Sequence, residues 1–329
     1  MKKLLIWLPG MLSMLAACTE AVEIPARAPE KQSPVRVELR LTTEQQQAVT
    51  RAMDENSIRD VNLYLYGDTE YHFYFPSVSS PLVFNVLPGN YRSYAIANAG
   101  QDLGDKNAFE IQFYETAVDV MESSDAIPMT DRGTLAVDGA GRCTPSSLRV
   151  TRSAAKIAYT IEVADAVAPS LRLRSVQFCN LPLTIRPFDS GSISSTVEAN
   201  YYDGEAMPVG NERRTAGTAY LFENLQGSVD TITDQKDKCP ENAPACATYL
   251  RILAERSADK ALVEYIVYPG ENNTSDFNVR RNTWHNLELV IMGENEIDNR
   301  VLVYDGLYYG TANCHICTGD QVTFDVTPY

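Results

Sequence analysis

Seven cysteines and three histidines are the side chains of this chain best suited to metal or thiol chemistry. Cys314, His315, Ile316 and Cys317 form a CxxC pair, the spacing that zinc ribbons use. A zinc site needs a second ligand pair at matching spacing, and none exists here, so no metal is expected. Cys239 and Cys246 flank a proline-rich loop, KCPENAPAC, which suits a local disulfide. The connectivity of the remaining cysteines stays open. His72 sits in the aromatic run YHFYF and His285 follows Trp284 in an apolar run. Both read as structural or surface residues rather than catalytic bases. The chain has no GxSxG elbow, no HExxH, no phosphate-binding glycine loop and no GxGxxG. The expectation is therefore a protein that is not an enzyme and carries no cofactor.

The one position with an assignable covalent fate is Cys18. Lys2 and Lys3 precede an apolar stretch, LLIWLPGMLSMLAA, too short to span a bilayer. The stretch ends in Leu15-Ala16-Ala17-Cys18, which resembles the bacterial lipoprotein lipobox. That resemblance implies cleavage before Cys18 and acylation of its sulfur. Each buried CH₂ of an acyl chain adds about 0.8 kcal/mol of membrane affinity. A plain secretory signal followed by a chance cysteine is the alternative. Residues 18–33 read as a tether rich in proline and charge.

The net charge of -15 excludes nucleic acid as a partner, because phosphate recognition needs clustered Lys and Arg. The 329 residues leave room for about two domains of roughly 100–150 residues. From Pro34 the patterning is β. VRVELRL (35–41) and DVNLYLY (60–66) alternate apolar and polar residues, the mark of half-buried strands. The LPGN cluster at 87–90 predicts a hairpin turn. A weaker helical stretch is expected within 105–122. LRVTRSAAKIAYTIEV (148–163) predicts one long strand. ATYLRILAE (247–255) and ALVEYIVYPG (261–270) predict a strand pair. The tyrosine-rich runs read as cross-strand packing, with an aromatic sugar-binding platform as the alternative. These features predict an all-β chain of two tandem β-sandwiches. The expected division is 34–147, 148–303 and a C-terminal strand segment, 304–329.

Between the first two strands lies AVTRAMDENS (48–57), polar and with a single arginine, Arg51. Its meaning comes from a resemblance. IRDVNLYLYGD, VLPGNYRSYAIANAGQDLG, IPMTDRG, LRVTRSAAKIAYTIEV, NVRRNTWHNLELVIMG and IDNRV occur in that order. Together with the lipobox, the series resembles the fimbrillin superfamily of lipoprotein pilins over roughly residues 35–303. The resemblance implies transthyretin-like, Greek-key sandwiches and an outer-membrane lipoprotein at the cell surface or in a fimbria. It implies other pilus subunits, an arginine-specific protease and the membrane as partners. It also implies a cut between Arg51 and Ala52 that removes VRVELRL and opens a groove for a neighbour's strand. The alternative is that Arg51 is an ordinary loop residue and the strand stays, as in an anchor subunit. At the C-terminus, QVTFDV places Val322, Phe324 and Val326 on one face. That strand reads as a donor for the next subunit, as a last strand of its own sandwich, or as the start of a further domain.

Overall fold

The computed structural model describes residues 33–43, 55–119, 121, 126–189, 194–293, 303–304 and 323–328. The first part of the chain forms β1 (Val35–Thr43), β2 (Val61–Tyr66), β3 (Glu70–Phe75), β4 (Leu82–Val86) and β5 (Gly89–Ala97). After these come α1 (Ala108–Gln112), β6 (Thr116–Ala117), β7 (Met129–Val137), β8 (Cys143–Thr144) and β9 (Ser147–Arg152). The strands run in the order β3-β2-β5-β7-β9-β1-β4. β9 passes the ladder from one face of a sandwich to the other, because only Met129 and Thr130 of β7 pair with it. Val37, Leu39, Phe84, Leu148 and Val150 from one side meet Leu63, Leu65, Ala95 and Leu135 from the other in a single core.

The 87–90 turn differs from the expected hairpin. β4 pairs with β1, whereas β5 pairs with β2 and β7. The turn therefore crosses from one face of the sandwich to the other. Two tyrosines hold it there: Tyr91 donates to the Leu87 carbonyl (2.6 Å), and the Leu87 amide donates to the Tyr71 hydroxyl (3.1 Å). Tyr71, Phe73 and Phe75 of β3 pack onto the same core. The aromatic run thus serves cross-strand packing.

The expected helix is short. Asn107 and Glu110 form a reciprocal capping box that starts α1. The chain is extended again at Thr116, where β6 pairs with β13 (Thr184–Ile185).

The predicted long strand over 148–163 is two strands. Ser153 breaks it, donating its amide to the Pro128 carbonyl (2.8 Å). Before the break, β9 serves the first core. After it, β10 (Ala154–Val163) opens the second. The second core also uses β11 (Leu171–Cys179), with β12 (Leu181–Pro182) and β14 (Tyr201–Tyr202) paired at its margin. β15 (Met207–Pro208), β16 (Arg214–Phe222), β17 (Tyr249–Arg256), β18 (Leu262–Val267), β19 (Thr283–Ile291), β20 (Val303–Tyr304) and β21 (Thr323–Pro328) follow in the same half. Two sheets form: β16-β10-β19-β21 and β15-β11-β17-β18-β20. β17 and β18 are the antiparallel pair that the sequence predicts. Ile157, Ile161, Leu287 and Leu289 of one sheet face Leu173, Val176, Ile252 and Val263 of the other. The chain is an all-β protein built from β-sandwich packing.

The two halves share a pairing rule that no sequence repeat announces. β1 lies between β4, antiparallel, and β9, parallel. β10 lies between β16, antiparallel, and β19, parallel. In each half the first strand thus has one antiparallel and one parallel partner.

Candidate functional site

β1 alternates because Val37, Leu39 and Leu41 point into the core while Arg36, Glu38 and Arg40 face solvent. Its whole length is paired, the first half with β4 and the second half with β9. Val35 to Leu39 run against Val86 to Leu82, and Arg40 to Thr43 run along Ser147 to Val150. The Thr42 hydroxyl adds a bond to the Leu148 carbonyl (3.1 Å). Gly141 covers the start of the strand with φ +79°. A Cβ there would lie 2.1 Å from the Arg36 carbonyl oxygen. Only glycine allows this approach and this backbone conformation. Gly141→Val is expected to push the turn off β1 and cost about 1–3 kcal/mol, measured by urea denaturation.

Arg51 and Ala52 lie outside the described residues, as do Cys18 and Val322. The structure does describe both flanks of the 44–54 segment. The Thr43 hydroxyl is 3.5 Å from the Asn56 side-chain oxygen, so the two ends of the segment meet. Downstream, Glu55 and Asn56 are gripped by buried cations. Arg152 is 2% exposed. Its Nε donates to the Glu55 carbonyl (2.8 Å), one Nη to Asn282 Oδ1 (3.0 Å) and the other to Asn56 Oδ1. Lys156 Nζ pairs with the Glu55 carboxylate, which also accepts from the Tyr220 hydroxyl (2.6 Å). Lys156 also lies 5.3 Å from the Trp284 ring centroid. A buried charge is tolerated only when paired and hydrogen-bonded, and this cluster meets that condition.

Sequence reasoning missed this grip. Its one local signal is Lys156, a cation among apolar neighbours in SAAKIAYTI. Its partner Glu55 lies 101 residues away.

The other expected residues are scattered. Phe324 and Val326 lie in β21, paired opposite Leu287 and His285 of β19. The C-terminal strand thus sits on its own chain's sheet. Cys239 and Cys246 are buried free thiols, and the expected bridge between them is absent in this structure. The Asn242 and Ala243 amides both fold back to the Cys239 carbonyl, and the Asn242 side-chain amide lies 3.3 Å from the Cys239 sulfur. That tight turn already gives the sulfur a polar partner. Burial raises both thiol pKa values, and it pushes Cys179 up to about 12, so these thiols are poor nucleophiles at neutral pH. The Cys314–Cys317 motif lies outside the described residues. His72 stacks on Tyr64 with ring centroids 4.4 Å apart and meets Asn62 Oδ1 at 3.1 Å. His285 is fully buried between Gly270 and Thr283.

A polar cavity of about 430 Å³ lies elsewhere, lined by Glu115, Arg186, Asn200, Tyr201, Glu223 and Arg281 among others. Two ion pairs shape its walls, Arg186–Glu115 (2.9 Å) and Arg281–Glu223 (2.6 Å). Arg281 also donates to the Pro187 carbonyl. Among the described residues no cluster of His, Cys, Asp and Glu could hold a metal ion. No helix among them is long and apolar enough to cross a membrane.

Residues 219–289, from the end of β16 through β19, match a domain family of unknown function, DUF4906. No curated protein matches the chain in sequence. Solved structures match it over most of its length. A fimbrilin (fimA) from Porphyromonas gingivalis superposes with a TM-score of 0.57 at 15% identity, covering 91% of this chain and 98% of that one. A candidate cell adhesion protein from Parabacteroides distasonis gives 0.56 at 13% identity, with coverage of 90% and 96%. A tip fimbrial protein from Porphyromonas gingivalis, truncated at its C-terminus, gives 0.51 at 11% identity, with coverage of 90% and 100%. At these identities the likeness is one of fold, and the chain has the fold of the fimbrillin-type pilus proteins.

Proposed function

We propose that this chain is a fimbrial subunit, exported as a lipoprotein through Cys18 and assembled by strand exchange after a cut between Arg51 and Ala52. The observation that carries the reading is the state of β1. It pairs with β4 along its first half and with β9 along its second, with three aliphatic side chains in the core. Yet its covalent link to the downstream chain is the 44–54 segment, whose flanks meet at Thr43 and Asn56. One cut in that segment frees the strand from everything downstream. Removal leaves a groove of apolar side chains and two unpaired strand edges, which water wets unfavourably. Val322, Phe324 and Val326 repeat the spacing of Val37, Leu39 and Leu41, so a C-terminal strand from a second subunit has the pattern to fill that groove. In this reading residues 34–152 form the first sandwich, and the cell surface or fimbria is the site of action.

The test uses the chain without residues 1–17 and with Cys18→Ser. An arginine-specific protease is added, and N-terminal sequencing and size-exclusion chromatography follow. The expected product begins at Ala52 and elutes as oligomers. A product cut at Ala52 that stays monomeric and keeps residues 34–51 bound would overturn strand exchange.

A second reading, a surface-anchored glycan-binding protein, is favoured by the polar cavity at Glu223 and Arg281. It predicts retention of a defined oligosaccharide on a glycan array and its loss in Arg281→Met.

A further inference from the structure

Arg51 is not the only arginine between β1 and β2. Arg59 lies eight residues on, in a segment without regular structure, and its side chain is exposed. By residue type and exposure alone it is an equal substrate for an arginine-specific protease. Hydrolysis there would add water across the Arg59–Asp60 bond, leaving a carboxylate on Arg59 and an amine on Asp60. It would also remove Ile58, which packs on the first core, and Glu55 and Asn56, which bind the buried Lys156 and Arg152.

The backbone around Arg59 is tied at almost every residue. Asn98 is 1% exposed and stands at φ 62°, a conformation asparagine tolerates. The Arg59 amide donates to its Oδ1 (2.8 Å). Its Nδ2 donates to the carbonyls of Ser57 (2.9 Å) and Ile127 (2.7 Å). Its backbone amide donates to the Asp60 carbonyl (3.0 Å). The buried Asp60 carboxylate accepts from the amides of Ala99 (3.1 Å) and Gly100 (3.0 Å). Upstream, Arg152 holds the Glu55 carbonyl, and Lys156 and Tyr220 hold its carboxylate. A protease must draw several residues on both sides of the scissile bond into its cleft. Here that requires breaking the Asn98 and Arg152 sets together, and the rate of cutting follows the population of the opened state.

We propose that the Asn98 and Arg152 hydrogen-bond sets select the processing site, by holding residues 55–60 closed so that cutting stops at Arg51 and spares Arg59. The role in processing rests on the pilus-subunit reading above. The closed state of 55–60 does not.

The experiment treats three forms of the mature chain with an arginine-specific protease: the Cys18→Ser parent, Asn98→Gly and Arg152→Met. Asn98→Gly keeps the left-handed backbone and removes the side-chain amide. Mass spectrometry follows the Arg51–Ala52 and Arg59–Asp60 bonds separately. The parent is expected to be cut at Arg51 alone, and each variant to be cut at Arg59 about tenfold faster or more. Equal cutting at both bonds in the parent would overturn the selection, and so would an Arg59 bond that stays intact in folded Asn98→Gly. Hydrogen exchange on the parent gives a readout independent of any variant. The Arg59 amide is expected to be strongly protected, and exchange at the rate of a free amide would refute the closed state. The two readings fail separately. No cut at Arg51 but new cutting at Arg59 in the variants sinks the processing reading and keeps the closed segment. Cuts at Arg51 and Arg59 together in the parent do the reverse.

Discussion

Removing β1 from the folded chain is expected to cost most of the stability of the first sandwich. Val37, Leu39 and Leu41 are 0%, 0% and 8% exposed in the intact protein. Full burial of each such side chain contributes about 1.5–3 kcal/mol, so losing all three costs about 5–9 kcal/mol before any ladder hydrogen bond is counted. A domain's whole stability is about 5–15 kcal/mol. The stripped chain, starting at Ala52, should therefore unfold at much lower urea, aggregate, or take up a strand from elsewhere. Two synthetic peptides distinguish these outcomes. A peptide of residues 34–43 should restore the urea midpoint. A peptide of residues 321–328, with Val322, Phe324 and Val326 at the same spacing, should restore part of it. The 34–43 peptide carrying Val37→Asp should not, because it places a carboxylate in the core. A stripped chain with an unchanged midpoint and no peptide binding would mean that β1 is peripheral to the core.

The second large effect is expected in acid, and it comes from the other half of the molecule. His285 lies in β19, paired with Ile157 of β10 and Val326 of β21. It is fully buried, and that burial drives its pKa down to about 4. Desolvation, reinforced by Lys238, outweighs the Gly270 carbonyl and Asp276, which favour the charged form. Above pH 6.5 the ring is neutral in both the folded and unfolded chains and adds no pH dependence. Below 6.5 the unfolded chain takes a proton that the folded chain refuses. Stability therefore falls as the pH drops from 6.5 to 4, by about 3 kcal/mol in total. His285→Gln should remove that slope. Comparing urea curves of parent and variant at pH 7 and pH 4.5 isolates the imidazole, because Asp60, Asp131 and Glu264, whose pKa values desolvation raises, titrate in both. Parallel loss of stability in both proteins would mean the imidazole is not the source. This imidazole alone makes the fold hold better near neutral pH than in acid.

His285 and Arg152 show how the two halves handle buried charge differently. His285 meets only the neutral Thr283 hydroxyl and Gly270 carbonyl as hydrogen-bond partners among the described residues, and burial keeps its ring neutral. Arg152 cannot lose its proton at any relevant pH, so the fold surrounds it with Glu55, Asn56 and Asn282. The first arrangement is sensitive to pH. The second ties residues 55–56 to the place where the chain passes between cores.

Some of this was determined by the sequence alone, because the physics is local. The alternation of Val37, Leu39 and Leu41 dictates a strand with one wet and one dry face, whatever its neighbours. The β17–β18 pair follows from two apolar runs joined by a short polar turn. Asn107 and Glu110 can cap a helix without help from afar. Lys2, Lys3 and the LAAC tetrad carry their meaning in eighteen residues. Only the tertiary structure decided the rest. The LPGN turn has the residues of a hairpin, yet β4 and β5 take different partners, because pairing β4 with β1 buries Phe84 and Val86 in the first core. LRVTRSAAKIAYTIEV reads as one strand, and no periodicity marks Ser153 as the place where the chain leaves one core for the next. The insertion of β1 beside β9, and of β10 beside β19, joins strands more than a hundred residues apart. The grip of Arg152 and Lys156 on Glu55 spans a similar distance. Side-chain period is a property of neighbours along the chain, whereas strand partners and charge partners are chosen by which distant surfaces bury together, and that choice exists only once the whole chain has folded.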